Sequence, residues 1–254
     1  MDLRFSIIIP SFNQGHIIAE TIDSILNQSY QNVEVLVIDG GSTDNTVDVL
    51  KNYGDKIFWI SEKDNGQSQA INKGIALAKG DIVTFLNSDD YYLEGTLEKV
   101  AHIFESDKNV LWLTGDYIII DENGNRIQSW IGKYKTVFRK FISFNLLSVL
   151  NPINQPSTFL TRKLIDKVGL FREDLRYVFD YDFWLRATNI QEPAVLSDKL
   201  CAFRIHKASK GGAEYRKQFK EELQVAKQFQ KNRFLIFLHY LHNQLINFSY
   251  TILK

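Results

Sequence analysis

The chain has 254 residues with 30 basic and 30 acidic side chains, so its formal net charge is zero. This length fits one α/β domain with an additional lobe, and the balanced charge argues against a broadly basic nucleic-acid surface. The single cysteine, Cys201, excludes an internal disulfide framework and a cysteine-cluster zinc site. The first apolar run, from Phe5 to Ile9, shows no signal-peptide pattern, which predicts a cytoplasmic protein.

Strands and helices alternate through the amino-terminal part of the chain. Four short apolar runs are predicted as strands, namely Phe5 to Phe12, Val33 to Ile38, Ile57 to Ile60 and Ile82 to Leu86. Segments with helical periodicity lie between these runs, and Gly54 is well placed to end the second helix. A β-α-β-α-β-α-β order implies right-handed crossovers and a parallel central sheet flanked by helices.

Polar side chains follow each predicted strand. They are Ser11 and Asn13, then Asp39, then Glu62 and Asp64, then Asn87 and Asp89. In open parallel sheets, ligands bind beyond the carboxyl ends of the strands, so these side chains should meet at one edge. An acid there can accept hydrogen bonds from a base or a ribose, and a hard cation bound to Asp89 would neutralise a diphosphate.

Simpler explanations exist for some of these residues. Asp89 and Asp90 could merely end a strand or cap the following helix, although the helical pattern begins only near Glu94 or Thr96. Asp39 could form an Asx-turn that leads into Gly40. No glycine-rich dinucleotide fingerprint and no P-loop occur, which argues against a dinucleotide dehydrogenase or a P-loop NTPase.

Four segments resemble motifs of the family 2 glycosyltransferases in order and spacing. They are Ile9-Pro-Ser-Phe-Asn13, Val37-Ile-Asp-Gly-Gly-Ser-Thr-Asp44, Asp64-Asn-Gly-Gln67 with Ala70-Ile-Asn-Lys-Gly74, and Phe85-Leu-Asn-Ser-Asp-Asp90. The resemblance implies the GT-A fold, which is a Rossmann-like, mainly parallel central sheet flanked by helices. It also implies a nucleotide-diphospho-sugar donor, with UDP favoured because the family mostly uses it.

The resemblance assigns roles within the predicted donor site. Taken with the convergence of strand ends, it gives a donor-binding set of Ser11, Phe12, Asn13, Asp39, Asp64, Asn87 and Ser88. Asp89 is implied as a ligand of a divalent cation, Mn²⁺ or Mg²⁺. Two positions depart from the family pattern. Asn87 replaces the first aspartate of the D-x-D motif, which should weaken metal binding without abolishing it, and Ile71 replaces a common arginine.

The second half of the chain is less regular. Its predicted elements are a helix from Glu94 to Phe104, a strand from Val110 to Thr114, a hairpin across Asp121 to Gly124 and helical patterning from Val137 to Leu150. A polar loop, Asn151-Pro-Ile-Asn-Gln-Pro156, then either borders the site or forms an ordinary turn, since Gln155 alone specifies no chemistry.

The segment Phe179-Asp-Tyr-Asp-Phe-Trp-Leu-Arg186 is a second chemical centre. Glycosyl transfer needs a carboxylate that takes the proton of the attacking hydroxyl. The segment resembles the family motif E-D-x-D-x-W-L-R, which implies that Asp180 is the catalytic base and Asp182 a supporting residue, while Phe179 replaces the usual glutamate. Asp180 could also cap a helix, whose amino terminus would lower its basicity, and both roles can coexist.

Arg204 and His206 lie on one face of an alternating stretch that begins at Cys201. The family pattern aromatic-R-x-H-x-x-S implies that His206 joins the metal or diphosphate and that Arg204 neutralises leaving-group charge, although a structural histidine is an equal alternative. The tail from Arg233 is strongly apolar, yet polar residues interrupt it too often for a membrane-spanning helix. Packing on the core, a homodimer and membrane-surface contact all stay open.

The sequence therefore predicts residues 1–92 as a nucleotide-sugar-binding half, 93–212 as the acceptor-binding and catalytic half of the same domain, and 213–254 as a helical tail. The resemblance implies an inverting, metal-dependent glycosyltransferase acting on a saccharide or lipid-linked saccharide, in the cytoplasm or at the inner face of the membrane. Asn87 and Phe179 motivate an alternative, a non-catalytic donor-binding or scaffold subunit. A nucleotidyltransferase is a third hypothesis.

Overall fold

Eight strands form one sheet in this computed structural model, which describes residues 3–127, 130–205 and 214–252. The strands are β1 (Phe5–Ser11), β2 (Val33–Asp39), β3 (Phe58–Ser61), β4 (Ile82–Phe85), β5 (Tyr91–Tyr92), β6 (Trp112–Ile120), β7 (Thr158–Thr161) and β8 (Ala194–Arg204). Their order in the sheet is β3-β2-β1-β4-β7-β6-β8-β5. One sheet therefore joins the two predicted halves of the chain.

The first four strands are parallel, as the sequence predicts. β1 pairs with β2 on one side and with β4 on the other, and β2 pairs with β3. β7 runs antiparallel between β4 and β6, while β8 pairs parallel to β6 and antiparallel to β5. The carboxyl ends of β1 to β4 consequently lie at one edge of the sheet.

The helices cover both faces of this sheet. They are α1 (Ile18–Leu26), α2 (Thr46–Lys51), α3 (Gln67–Leu77), α4 (Thr96–Ser106), α5 (Trp130–Arg139), α6 (Phe144–Leu147), α7 (Arg162–Val168), α8 (Phe179–Thr188), α9 (Tyr215–Phe229) and α10 (Arg233–Ile252). The helices α1 and α4 pack in one buried cluster and α3, α7, α8 and α9 in another. Strands buried on both faces explain why β1, β2 and β4 read as continuous apolar runs.

The second half differs in detail from the sequence prediction. β6 is one continuous strand where a shorter strand and a hairpin arm are predicted, because it pairs with both β7 and β8 along its length. The predicted hairpin reduces to one bridge between Ile120 and Arg126. The helical pattern from Val137 to Leu150 divides into α5 and α6. Within the described part of the chain, no helix is long and apolar enough to cross a membrane.

Candidate active site

Asp39 lies at the carboxyl end of β2, between Ser11 of β1 and Ser61 of β3 in the strand register. Its side chain is fully buried. One carboxylate oxygen accepts hydrogen bonds from the backbone N–H of Ser42 at 2.8 Å and from the hydroxyl of Ser61 at 2.6 Å. Asp39 therefore forms the Asx-type turn that the sequence allows. A contact to the base or ribose of a donor stays a prediction.

The loop after β1 is fixed onto the turn after β2. The backbone N–H of Asn13 donates to the Ser42 hydroxyl at 2.7 Å, and the side-chain oxygen of Asn13 accepts from the backbone N–H of Thr43 at 2.8 Å. Asn13 adopts a positive φ of 54°, which an asparagine tolerates better than most residues. This arrangement leaves Phe12 58% exposed at the edge of the sheet, where its ring could stack on a base.

Two further features sit at the same edge. Ser11 is buried, and among the described residues its hydroxyl has no hydrogen-bond partner. Asp64 accepts a hydrogen bond from the backbone N–H of Gly66 at 2.9 Å, and its carboxylate packs against Gly40. A Cβ atom on Gly40 would lie 2.8 Å from that carboxylate, so a larger residue there would require the Asp64 side chain to move. The loops after β1, β2 and β3 thus converge as predicted from the sequence order.

Asn87 is held by two side chains. Its oxygen accepts a hydrogen bond from the amide of Gln67 at 2.7 Å, and its own amide donates to the carboxylate of Asp90 at 3.0 Å. Asp90 is buried, and burial followed by the charge of Asp89 raises the pKa of Asp90 well above its ordinary value. An amide at position 87 therefore stabilises a buried acid that a second aspartate would repel.

Arg204 braces the segment that contains Asp89. Its guanidinium is 4% exposed and donates to the backbone carbonyl of Asp89 at 3.0 Å, to the carbonyl of Asp121 at 3.2 Å and to the carboxylate of Glu20 at 2.5 Å. The backbone N–H of Arg204 also donates to the carboxylate of Asp90 at 2.9 Å. Arg204 therefore holds the segment of Asp89 and Asp90 in place through these hydrogen bonds. A contact from Arg204 to a leaving diphosphate stays a prediction.

The structure describes only one of the two residues that are predicted to bind the cation. In residues 3–127, 130–205 and 214–252, no three or more histidine, cysteine or acidic side chains form a group that could hold a metal. Asp89 lies in the described part, in the segment between β4 and β5, whereas His206 lies outside the described residues. One carboxylate together with substrate phosphates and water is a common Mg²⁺ environment, so the donor chemistry of Asp89 fits such an ion.

Asp180 lies in the first turn of α8 and keeps part of its surface exposed to solvent. Burial of its surroundings raises the pKa of Asp180 to about 6. This value includes the backbone N–H of Tyr181 and the ammonium of Lys135, which lower the pKa, and the carboxylate of Glu222, which raises it. The helix amino terminus favours the charged form, yet burial outweighs it. A carboxylate with this pKa can accept a proton near neutral pH.

Residues around Asp180 hold α8 in place. Asp182 is fully buried and accepts a hydrogen bond from the guanidinium of Arg186 at 2.9 Å, and its supporting role in catalysis stays a prediction. Phe179 packs against Phe85 and Phe171, with ring centroids 6.1 Å and 5.9 Å apart. Because Phe85 ends β4 and Phe179 begins α8, this aromatic cluster joins the strand that leads to Asp89 with the helix that carries Asp180.

The loop from Asn151 to Pro156 touches the same strand. The side-chain amide of Gln155 donates to the backbone carbonyl of Phe85 at 2.5 Å. Its side-chain oxygen is buried and has no hydrogen-bond partner among the described residues. The loop therefore contacts the end of β4, and whether it also borders the site stays a prediction.

Two charged neighbours of Asp180 are missing from the sequence prediction. Glu222 is 7% exposed, and burial raises its pKa to about 7 while Lys135 lowers it. Burial lowers the pKa of Lys135, and the carboxylates of Glu222 and Asp180 oppose that shift. A signal for Glu222 exists, because it shares a helical stripe with Val225 and Ala226, an acid on an apolar face. Lys135 has no comparable signal in its helix.

The sequence of this chain is similar to that of a known protein family. A family model described as Glycosyl transferase family 2 matches residues 6–169. An uncharacterized glycosyltransferase of Rickettsia typhi is 31% identical over 206 residues, which cover 80% of this chain and 64% of that protein. The chain therefore spans less than two thirds of the length of that relative.

Two solved structures share the architecture. S. aureus TarS 1–349 in complex with UDP-GlcNAc aligns with a TM-score of 0.69 at 21% identity, over 88% of this chain and 65% of that chain. Mannosyltransferase PcManGT from Pyrobaculum calidifontis, in complex with GDP-Man and Mn²⁺, aligns with a TM-score of 0.74 at 19% identity, over 95% of this chain and 70% of that chain. At these identities the likeness concerns the fold, and it confirms the GT-A prediction.

Proposed function

Because this chain belongs to glycosyl transferase family 2, we propose that it transfers a sugar from a nucleotide diphosphate to an acceptor hydroxyl. The observation that carries the proposal is the aromatic cluster of Phe85, Phe171 and Phe179, which joins the strand leading to Asp89 with the helix of Asp180. A donor-binding edge and a candidate base thereby share one structural support.

In the proposed reaction, Asp180 accepts the proton of the acceptor hydroxyl. The acceptor oxygen forms a bond to the anomeric carbon while the bond from that carbon to the phosphate oxygen breaks, and the bonding pair leaves with the nucleoside diphosphate. Attack on the face opposite the leaving group inverts the anomeric configuration. The pKa of Asp180, about 6, suits a base that is charged before transfer and protonated after it.

The donor is proposed to lie along the edge formed by the loops after β1 to β4. Phe12 would stack on the base, and Asn13, Asp39 and Asp64 would support the base and ribose. A divalent cation held by Asp89, with His206 as a second ligand, would stabilise the negative charge of the departing diphosphate. We propose UDP as the nucleotide. Other nucleotides should be tested beside it, because the two solved neighbours carry UDP-GlcNAc and GDP-Man.

A saccharide or a lipid-linked saccharide is proposed as the acceptor. The alternative of a non-catalytic scaffold rests on Asn87 and Phe179, and both residues have a packing explanation. Asn87 donates to buried Asp90 at 3.0 Å, and Phe179 fills an aromatic cluster. The departures at Asn87 and Phe179 therefore give little support to a loss of catalysis.

Donor binding is tested by a thermal-shift panel of UDP, GDP, dTDP and CMP, each with and without Mn²⁺. A nucleotide at ~100 times its dissociation constant should stabilise the native state by about 2.7 kcal/mol. We expect a metal-dependent shift with one nucleotide that disappears in Asp89→Ala. Asp55→Ala is the matched control, because Asp55 is an exposed acid before β3, at the opposite edge of the sheet.

Turnover separates the enzyme from the scaffold. The panel identifies the nucleotide, and its sugar derivatives are then screened for transfer. With the sugar donor found in this way, Asp180→Asn should lower the transfer rate at least 100-fold, roughly the contribution of a general base, and should keep the thermal shift. The exposed Asp166→Asn of α7 should leave both unchanged. Donor binding by wild-type protein without transfer to any acceptor saccharide would instead favour the scaffold.

A further inference from the structure

Helix α10 presents polar residues to the interior of the protein. His239 is fully buried and Asn243 is 4% exposed. A ring nitrogen of His239 lies 3.0 Å from the backbone carbonyl of Ser148, and the side-chain amide of Asn243 donates to the carbonyl of Phe219 at 3.3 Å. These polar contacts fix which face of α10 points inward.

The opposite face of α10 is mainly apolar and faces outward, with the exposed Gln244 as a polar interruption. Phe234, Phe237, Leu241 and Phe248 are 63%, 52%, 41% and 66% exposed. Their spacing of three, four and seven residues places them on one helical stripe. The inner face of α10 also contains apolar Ile236 and Ile246, so the helix is apolar on both sides, and an exposed apolar stripe of this size is unusual on a surface helix. The outer face of α10 is therefore suited to an apolar neighbour.

A groove between α9 and α10 extends this surface. It encloses about 390 Å³ and is lined by apolar or aromatic residues together with the cations Lys227, Lys231 and Arg233. The apolar lining residues are Leu223, Ile236, Phe237 and Tyr240. Apolar side chains flanked by lysine and arginine are typical of helices that lie in a membrane interface.

The charge of the carboxyl-terminal segment indicates which kind of partner its apolar surface fits. Residues 223–254 contain lysine and arginine but no aspartate or glutamate, although the whole chain is neutral. A symmetric dimer through this face would bring like charges together, whereas anionic lipid headgroups have the opposite charge. We propose that the outer face of α10 and the adjoining groove dock on a membrane surface that carries anionic lipids, with α10 lying in the interface. This inference does not depend on the proposed reaction.

The test is flotation of the full chain with vesicles of phosphatidylcholine alone or mixed with phosphatidylglycerol, at low and high salt. We expect binding to the mixed vesicles that weakens with salt. The triple variant Lys227→Gln, Lys231→Gln, Arg233→Gln should lower partitioning about 100-fold, given the usual gain from each cation near an anionic surface.

The apolar contribution is tested separately. The double variant Phe237→Glu, Leu241→Glu should lower partitioning at least roughly 10-fold, because it removes buried apolar area and adds repelled charge. Phe58→Glu is the control, since Phe58 is 48% exposed in β3, at the far edge of the sheet. Unchanged melting temperatures ensure that each variant is folded.

Two results would overturn the proposal. One is folded wild-type protein that does not float with the mixed vesicles at low salt. The other is a dimer, measured by analytical ultracentrifugation, that the variant Phe237→Glu, Leu241→Glu dissociates while vesicle binding is absent. In that second case a copy of this chain covers the face.

Discussion

At the scale of single residues, Asn87 and Phe179 show how a departure from a family motif can be compensated locally. The amide of Asn87 makes two hydrogen bonds, to Gln67 at 2.7 Å and to Asp90 at 3.0 Å. A carboxylate at this position would lose the bond to Asp90 and stand beside a buried acid. Phe179 is 6% exposed, so a charged residue there would be buried among aromatic rings.

The pH dependence of transfer should report the environment of Asp180. A base acts when deprotonated, so kcat/KM should rise with pH through the pKa of Asp180, about 6. Glu222→Gln removes a carboxylate that raises this pKa, and should move the acidic limb to lower pH. Lys135→Met removes a cation that lowers it, and should move the limb to higher pH. The measurement is kcat/KM between pH 4.5 and 8.5.

The opposite directions of these two shifts are the internal control. Both variants change one charge near Asp180, so a general loss of stability would lower the rate in both without moving the limbs apart. Limbs that move in the same direction, or not at all, would contradict the assignment of Asp180 as the titrating base. Because neighbouring groups titrate together, the limb gives the apparent pKa of the set.

At the scale of elements, close helix–sheet packing positions the donor edge. Helix α3 begins at Gln67, which binds Asn87, and packs on β1 through Gly74. A Cβ atom on Gly74 would lie 2.4 Å from Cγ2 of Ile8. The absence of a side chain at Gly74 therefore sets how closely α3 approaches the strand that leads to Ser11.

Gly74→Ala should consequently destabilise the protein, although alanine favours helices. Overpacking against Ile8 is expected to lower the free energy of unfolding by about 1 to 3 kcal/mol. The comparison is Ala76→Gly, an exposed position of the same helix, where propensity alone predicts a loss of about 1 kcal/mol. Chemical denaturation measures both. A stabilised Gly74→Ala variant would mean that propensity outweighs the contact with Ile8.

At the scale of the whole molecule, α9 connects two surfaces. Its Glu222 adjoins Asp180 and Lys135, and its Leu223 and Lys227 line the groove beside α10. The family match ends at residue 169, so α9 and α10 lie outside the matched region. Asp180 and the whole of α8 also lie beyond residue 169, so the candidate base and its charged neighbour Glu222 both lie outside the region that the family model matches.

The buried Glu222 should make stability depend on pH. Burial raises its pKa from 4.5 to about 7, so the folded state holds a proton that the unfolded state has lost between these values. Stability from this group is therefore complete below pH 4.5 and falls as pH rises through 7, by roughly 3 kcal/mol. Glu222→Gln should abolish this fall, so its advantage over wild type should grow with pH in urea denaturation.

The stability of Glu222→Gln must be compared with that of wild type at each pH, because two histidines change stability with pH in the opposite direction. Burial lowers the pKa of His239 and lowers that of His242 to about 4. Each contributes stability that increases as pH rises towards its ordinary value of 6.5. These contributions cancel in the difference between Glu222→Gln and wild type. A difference that stays constant from pH 4.5 to 8 would show that Glu222 is ionised at the same pH in both states.

The sequence by itself determined the four parallel strands, the helices between them and the common edge at which Ser11, Asp39 and Asp64 meet. These features follow from local apolar periodicity, from turn residues and from the right-handed crossover. The family motifs also identify Asp89 and Asp180 without knowledge of the fold. Their roles in binding and transfer stay predictions until the variants are measured.

Only the tertiary structure decided the bonding of Arg204 and the environment of Asp180. Glu20 and Glu222 reach these residues from elements far away in the chain, and no local pattern specifies such pairs. The strand β6 is longer than predicted because it pairs with β8, which the sequence analysis does not predict as a strand. Burial, charge proximity and strand pairing are properties of packed neighbours, and for that reason they emerge only once the chain is folded.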